Sequence, residues 1–147
     1  MKKILVAIDF SAGSIQALRY ALKFATSFDA QLLLLHVLHD PVDAPGFYSS
    51  KKAGKKVLRN MEEAASRMME EFVDKHLKKW KKFETRIIPG LPAAEIVSLA
   101  EKAKVDMLVM GTRGHNGFKR LMLGSVTDRV IRASACPVLV VQDDREN

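Results

Sequence analysis

The chain has 147 residues, 48% hydrophobic and 28% charged, with 24 Lys and Arg against 17 Asp and Glu and a formal net charge of +7. That length suits about one domain with a substantial core, and the composition excludes an intrinsically disordered chain. No apolar run approaches the roughly 20 residues of a membrane helix, and the run after Met1-Lys2-Lys3 is too short for a signal-peptide core. The single cysteine, Cys136, excludes an internal disulfide framework and agrees with a reducing cytoplasm. The positive charge permits attraction to polyanions without identifying one.

In chain order, Ile4 to Ile8 is a continuous apolar run, the pattern of a central parallel strand covered on both faces. Asp9 ends it. Ser11 then suits the N-cap of a helix carrying Ile15, Leu18, Leu22 and Ala25 on one face. A second strand, Leu32 to Val37, completes a right-handed βαβ unit. Residues 39–50 hold two prolines and a glycine and read as a loop. A long amphipathic helix follows, with Val57, Met61, Ala64, Ala65, Met68 and Phe72 at helical spacing as core-filling positions. Phe83 to Ile88 alternates polar and apolar residues, as an edge strand does. Pro92 fits the first turn of a short helix with Ile96, Leu99, Ala100 and Ala103 inward. Val105 to Met110 is the fourth strand. A helix from Ser125 carries Val126, Val130, Ile131 and Ala133, and Val138 to Val141 is the fifth strand, followed by a polar tail. Neither an internal repeat nor a domain linker is visible. Five strands alternating with four helices predict a doubly wound parallel sheet of order 3-2-1-4-5 in one domain over residues 1–147. Its switch point lies between strands 1 and 4, which end at Asp9 and Gly111. Ligands in such sheets bind beside the carboxyl ends of the strands at that point.

The most informative stretch is Gly111-Thr112-Arg113-Gly114, nine further residues, then Gly124-Ser125-Val126-Thr127. A buried strand ends on a glycine, and a second glycine delivers the chain to a helix start. Glycines let the backbone approach a ligand, and the free N–H groups of a helix start favour phosphate. Ser125 and Thr127 add hydroxyl donors and Arg113 a charge. Glycine spacing alone is equally compatible with an ordinary strand-to-helix loop.

Gly-x-x-Gly, nine residues, then Gly-Ser resembles the nucleotide signature of the universal stress protein family. GSVTDRVIRASACPVLVV, from Gly124 to Val141, resembles the family in its continuation, as KKILVAIDFS (Lys2 to Ser11) and LLLLHV (Leu32 to Val37) do in its first two strands. The resemblance implies a Rossmann-like three-layer domain, usually a homodimer, that binds ATP or AMP where the glycines are kept, as they are here. It further implies that Ala7, Ile8, Val37 and Met110 surround the adenine through side chains or backbone. Gly111, Arg113, Gly114, Gly124, Ser125, Val126 and Thr127 match its phosphate and ribose positions. Asp9 should not face phosphate directly, since like charges repel. It is expected on the ribose hydroxyls or on a Mg²⁺ that bridges to phosphate; helix capping is its alternative role. Residues 39–60 match no pattern of the family.

Other chemistry is not evident. GxxxxGK[ST] and GxSxG are absent, His36, His39, His76 and His115 lack metal-ligand spacing, and no nucleophile, base and orienting group occur together. Cys136, before Pro137, reads as a buried inert thiol. The reading is therefore a regulatory or signalling protein of the stress response that binds adenine nucleotide. The alternatives are a slow ATPase or nucleotide phosphotransferase, and a nucleotide-free scaffold. Val138 to Val141, an apolar edge, would be covered by antiparallel pairing with a second copy, the homodimer the resemblance implies. Two basic clusters remain. Lys51, Lys52, Lys55, Lys56 and Arg59 lie at the start of the long helix, where cations oppose its dipole, and are read either as a polyphosphate-attracting lid or as a solvated helix end. Lys75, Lys78, Lys79, Lys81 and Lys82 surround Trp80 at the other end, where they suit the dipole; a solvated face is expected there rather than a nucleic-acid site.

Overall fold

The computed structural model describes residues 1–39, 51–112 and 123–143, with backbone alone at 51 and 52. It shows β1 (Lys3–Ala7), α1 (Ala12–Phe28), β2 (Gln31–Leu38), α2 (Lys51–His76), β3 (Phe83–Pro89), α3 (Pro92–Lys102), β4 (Met107–Gly111), α4 (Ser125–Ala133) and β5 (Val138–Val141). The strands form a parallel sheet of order β3-β2-β1-β4-β5, as the alternation predicts.

The apolar runs of the central strands supply both faces. Ile4, Val6, Leu32, Leu34 and Val109 turn to a layer that contains Leu18, Ala21 and Ala25 of α1 and Met69 and Phe72 of α2. Leu5, Leu33, Leu35 and Leu108 turn the other way, onto Ile96 and Ala100 of α3 and Val130 of α4. Alternate side chains of one strand point to opposite faces, so only a continuous apolar run fills both layers.

Four details differ from the expectations, the last being the partial exposure of Cys136. In α2 the buried stripe is Ala65, Met69 and Phe72, whereas Met68 is 48% exposed. Steps of four and three hold one face of a helix, and Met68 lies a third of a turn away from Met69. In α4 the buried residues are Thr127 and Val130; Ile131 and Ala133 are exposed, because they lie on opposite sides of that stripe. Val105 is buried yet precedes β4. Its N–H bonds Ala100 O at 3.1 Å and the Lys104 N–H bonds Glu101 O at 3.1 Å, with Lys104 left-handed at φ 52°. That pairing is a Schellman motif, in which Val105 is the apolar residue that follows the helix rather than the first residue of a strand. Cys136 is half-buried, with its Sγ 3.3 Å from Ser134 Oγ. No described helix is long and apolar enough to cross a membrane.

Candidate functional site

The β1–α1 turn is built around Asp9. Its Oδ1 accepts hydrogen bonds from the Ser11 N–H at 3.0 Å and from the hydroxyls of Ser11 and Ser14. Ser14 Oγ also accepts from the Asp9 N–H at 2.8 Å, and Ser11 Oγ caps α1 by accepting from the Ser14 N–H. One carboxylate oxygen thus fixes the turn. Among the described residues the other, Oδ2, has no hydrogen-bond partner, and the side chain remains half-exposed. Ser11 is the N-cap, so the role of Asp9 is to brace the loop that carries the cap. Between them Phe10 adopts φ 65°, a left-handed conformation that a bulky residue takes only where its surroundings impose it. Its ring is held by His36 and Phe72, with centroids at 4.7 and 5.8 Å.

β4 ends beside this turn. A Cβ on Gly111 would meet the Gly13 backbone at 3.1 Å, so glycine here lets the strand end approach the first turn of α1. Thr127, buried in the first turn of α4, donates its hydroxyl to Gly111 O at 2.9 Å. The Thr112 N–H bonds Val141 O at 3.0 Å, and the Gly124 N–H bonds Thr112 O at 2.7 Å. These bonds pin the departure from β4 and the entry into α4 to each other. Gly124 is the N-cap of α4 and offers no side-chain acceptor; the first intrahelical bond is Asp128 N–H to Gly124 O, at 3.0 Å. The N–H groups of Ser125, Val126 and Thr127 therefore precede the helical ladder, a cluster of donors at the positive end of the helix.

The expected base-contacting residues divide between two faces. Ala7, Val37 and Met110 pack with the α3–α4 layer. The sheet register sets Ala7 beside Leu35, one step beyond the Val6–Val109 pair and so level with Met110. Ile8 belongs to the opposite layer. Its N–H bonds Leu35 O at 2.8 Å and its C=O lies 2.7 Å from His36 Nδ1, so only its backbone borders the carboxyl edge shared with the other three. Arg113, Gly114 and His115 lie outside the described residues. Of the first basic cluster, Lys55, Lys56 and Arg59 are exposed, while the side chains of Lys51 and Lys52 are outside the description.

Sequence reasoning assigned no site role to Gly13, Ser14 or Phe10. The serines have a legible signal, Asp9-x-Ser11-x-x-Ser14, whose spacing lets two hydroxyls reach back to one carboxylate. The left-handed Phe10 has none, because Phe carries no preference for that conformation. A shallow open cleft along the outer side of α1, lined by Gln16, Arg19, Tyr20, Lys23 and Thr26, does not coincide with the crevice between β1 and β4.

The family model described as the universal stress protein family matches residues 1–142. Universal stress protein MJ0531 of Methanocaldococcus jannaschii is 37% identical, over 99% of this chain and 84% of its own length. Among solved structures, protein MJ0577, from the same organism, superposes with a TM-score of 0.86 at 34% identity, covering 99% of this chain and 97% of its own. A universal stress protein solved in complex with cAMP superposes with a TM-score of 0.62 at 26% identity, over 97% and 98% of the two chains. With these matches running nearly end to end over the same five-stranded sheet, the chain belongs to the universal stress protein family.

Proposed function

We propose that the crevice between β1 and β4 binds an adenine nucleotide, ATP or AMP, and that the protein is a cytoplasmic regulatory or signalling component of the stress response. The observation that carries the reading is the start of α4: its N–H cluster has no side-chain cap and is tethered by Thr127 and Gly124 to the end of β4. A phosphate there gains several donors at once and lies with the helix dipole. The relative solved with cAMP, itself an adenine nucleotide, supports the ligand class.

In this reading Gly111, Arg113, Gly114, Gly124, Ser125, Val126 and Thr127 hold the phosphates and ribose. Ala7, Val37 and Met110 border the base from the α3–α4 side, and Ile8 contributes backbone. Asp9 uses Oδ2 on the ribose hydroxyls or on Mg²⁺. Asp9 is the carboxylate this reading places on the ion, and the described residues contain no group of three or more His, Cys, Asp or Glu arranged for a metal. That fits Mg²⁺, which keeps several waters and takes its remaining ligands from phosphates. β5 would pair with a second copy to form a homodimer.

The test is to denature freshly purified protein and identify the released nucleotide by chromatography and mass spectrometry, followed by titration of the emptied protein with ATP and AMP, with and without Mg²⁺. Nucleotide from the parent and none from Asp9→Ala or Gly124→Val, each still folded, is the expected result. An empty parent that also ignores added nucleotide would leave the scaffold reading in its place. Released ADP would call for a turnover assay.

A further inference from the structure

We propose that the edge of the sheet opposite the crevice is a binding surface for single-stranded nucleic acid, with lysines on the phosphates and Phe28 stacking on a base. In a parallel sheet every strand begins on the same edge, which brings basic residues far apart in sequence into one row. Backbone bonds fix the row: Leu32 N–H to Lys82 O at 2.9 Å, Gln31 N–H to Lys2 O at 2.8 Å, and Asp106 N–H to Lys3 O at 2.8 Å. Lys78, Lys79, Lys81 and Lys82 arrive there from the α2–β3 turn, Lys2 from the start of β1, and Lys104 from the α3–β4 turn, all six exposed. Four adjacent strands at the usual spacing make a row about 15 Å long.

Two of the acids of this edge are engaged, and the lysines outnumber the acids. Asp29 pairs with Lys82, and Asp106 Oδ2 accepts from the backbone N–H groups of Lys2 and Lys3 at 2.7 and 2.9 Å. Asp74 and Glu101 are the remaining exposed carboxylates nearby. Trp80 is not available for stacking: it packs against the core and donates Nε1–H to Lys82 O at 3.1 Å. Phe28 is available. It ends α1 at 53% exposure, directly before the Asp29 that pairs with Lys82. A basic row beside an exposed aromatic ring suits a flexible strand whose unpaired bases are open to stacking. A duplex, with its bases already stacked, would leave that ring unused.

The experiment follows a fluorescent single-stranded 20-nucleotide RNA by anisotropy from about 50 to about 200 mM salt, the range over which phosphate contacts weaken steeply. Binding is expected at the low end. Removing two phosphate-contacting lysines with Lys79→Gln plus Lys81→Gln should lower the log–log salt slope by about 1.4 and the affinity at about 50 mM by at least about tenfold. The charge-matched Arg67→Gln plus Arg129→Gln, on the outer faces of α2 and α4, should do neither. Phe28→Ala should weaken binding with an unchanged slope, since stacking releases no counterions. Binding should persist in Asp9→Ala, which separates this surface from the crevice. No binding at about 50 mM salt, or equal losses from the two double variants, would overturn the proposal. So would equal affinity for a duplex with no effect of Phe28→Ala. Phosphatidylglycerol vesicles captured through Lys79 and Lys81 by a protein that ignores RNA would reassign the surface to membranes.

Discussion

Asp9, Ser11 and Ser14 show how three short polar side chains settle a turn. The carboxylate oxygen collects donors that would otherwise compete for the backbone, and Ser14, 3% exposed, satisfies the Asp9 N–H in return. Ser14→Ala removes both of its bonds from a nearly water-free position and should cost about 1–2 kcal/mol, read from urea unfolding. Gly111 is governed by space. Ala at this position places a methyl 3.1 Å from the Gly13 backbone, which cannot rotate aside as a flexible side chain would. We expect Gly111→Ala to destabilise by about 1–3 kcal/mol and to weaken nucleotide binding, because the strand end and α1 must separate. A Gly111→Ala protein with unaltered melting and affinity would show that the contact relaxes freely. Thr127→Val keeps the shape of the side chain but drops the bond to Gly111 O. It should loosen the start of α4 and reduce nucleotide affinity by more than it reduces stability, checked by calorimetry beside thermal melting.

At the scale of the element, helix ends carry stress that the sequence does not relieve. Lys104 is left-handed at φ 52° where glycine is the usual residue. Lys104→Gly should raise stability by about 0.5 kcal/mol, the steric relief outweighing the added freedom of the unfolded chain. A fall in the urea midpoint would contradict that balance. Near the end of α2, His76 sits against the Phe72 ring, and its pKa is lowered from 6.5 by burial first, then by Lys75 and Arg19. Its folded value is below its unfolded value, so the unfolded chain binds the proton more tightly. The stability contribution is complete above about 6.5 and declines as pH falls through that value towards the lowered one. Melting temperature should therefore drop modestly on acidification, and His76→Gln should flatten that limb. An identical pH profile in the variant would assign the drop to other groups.

For the whole molecule, the topology places its chemistry at one edge. Asp9, Gly111 and the start of α4 are distant in sequence and meet because β1 and β4 are neighbours, their order reversing there. β5 is the other structural question. As the last strand of the sheet, with Val138, Leu139 and Val140 only half-buried, it leaves an apolar edge that a second copy would cover. Light scattering at micromolar concentration should give twice the chain mass, and Leu139→Lys should reduce it to a monomer. A parent that scatters as a monomer would rule out the pairing.

The sequence by itself determined the strand order and much of the crevice. Continuous apolar runs at Ile4 to Ile8 and Leu32 to Val37 can be buried only in a sheet covered on both faces. The right-handed crossover then leaves few ways to arrange them. The glycines at 111 and 124 and the cap at Ser11 were legible because their roles are local. Periodicity located α2 but assigned Met68 rather than Met69 to its buried face, since the choice depends on where the sheet lies. The left-handed Phe10, the division of Ile8 from Ala7, Val37 and Met110, and the row formed by Lys2, Lys82 and Lys104 were decided by tertiary structure alone. Each arises from contacts between segments distant along the chain, and the local sequence carries no signal of who the neighbour will be.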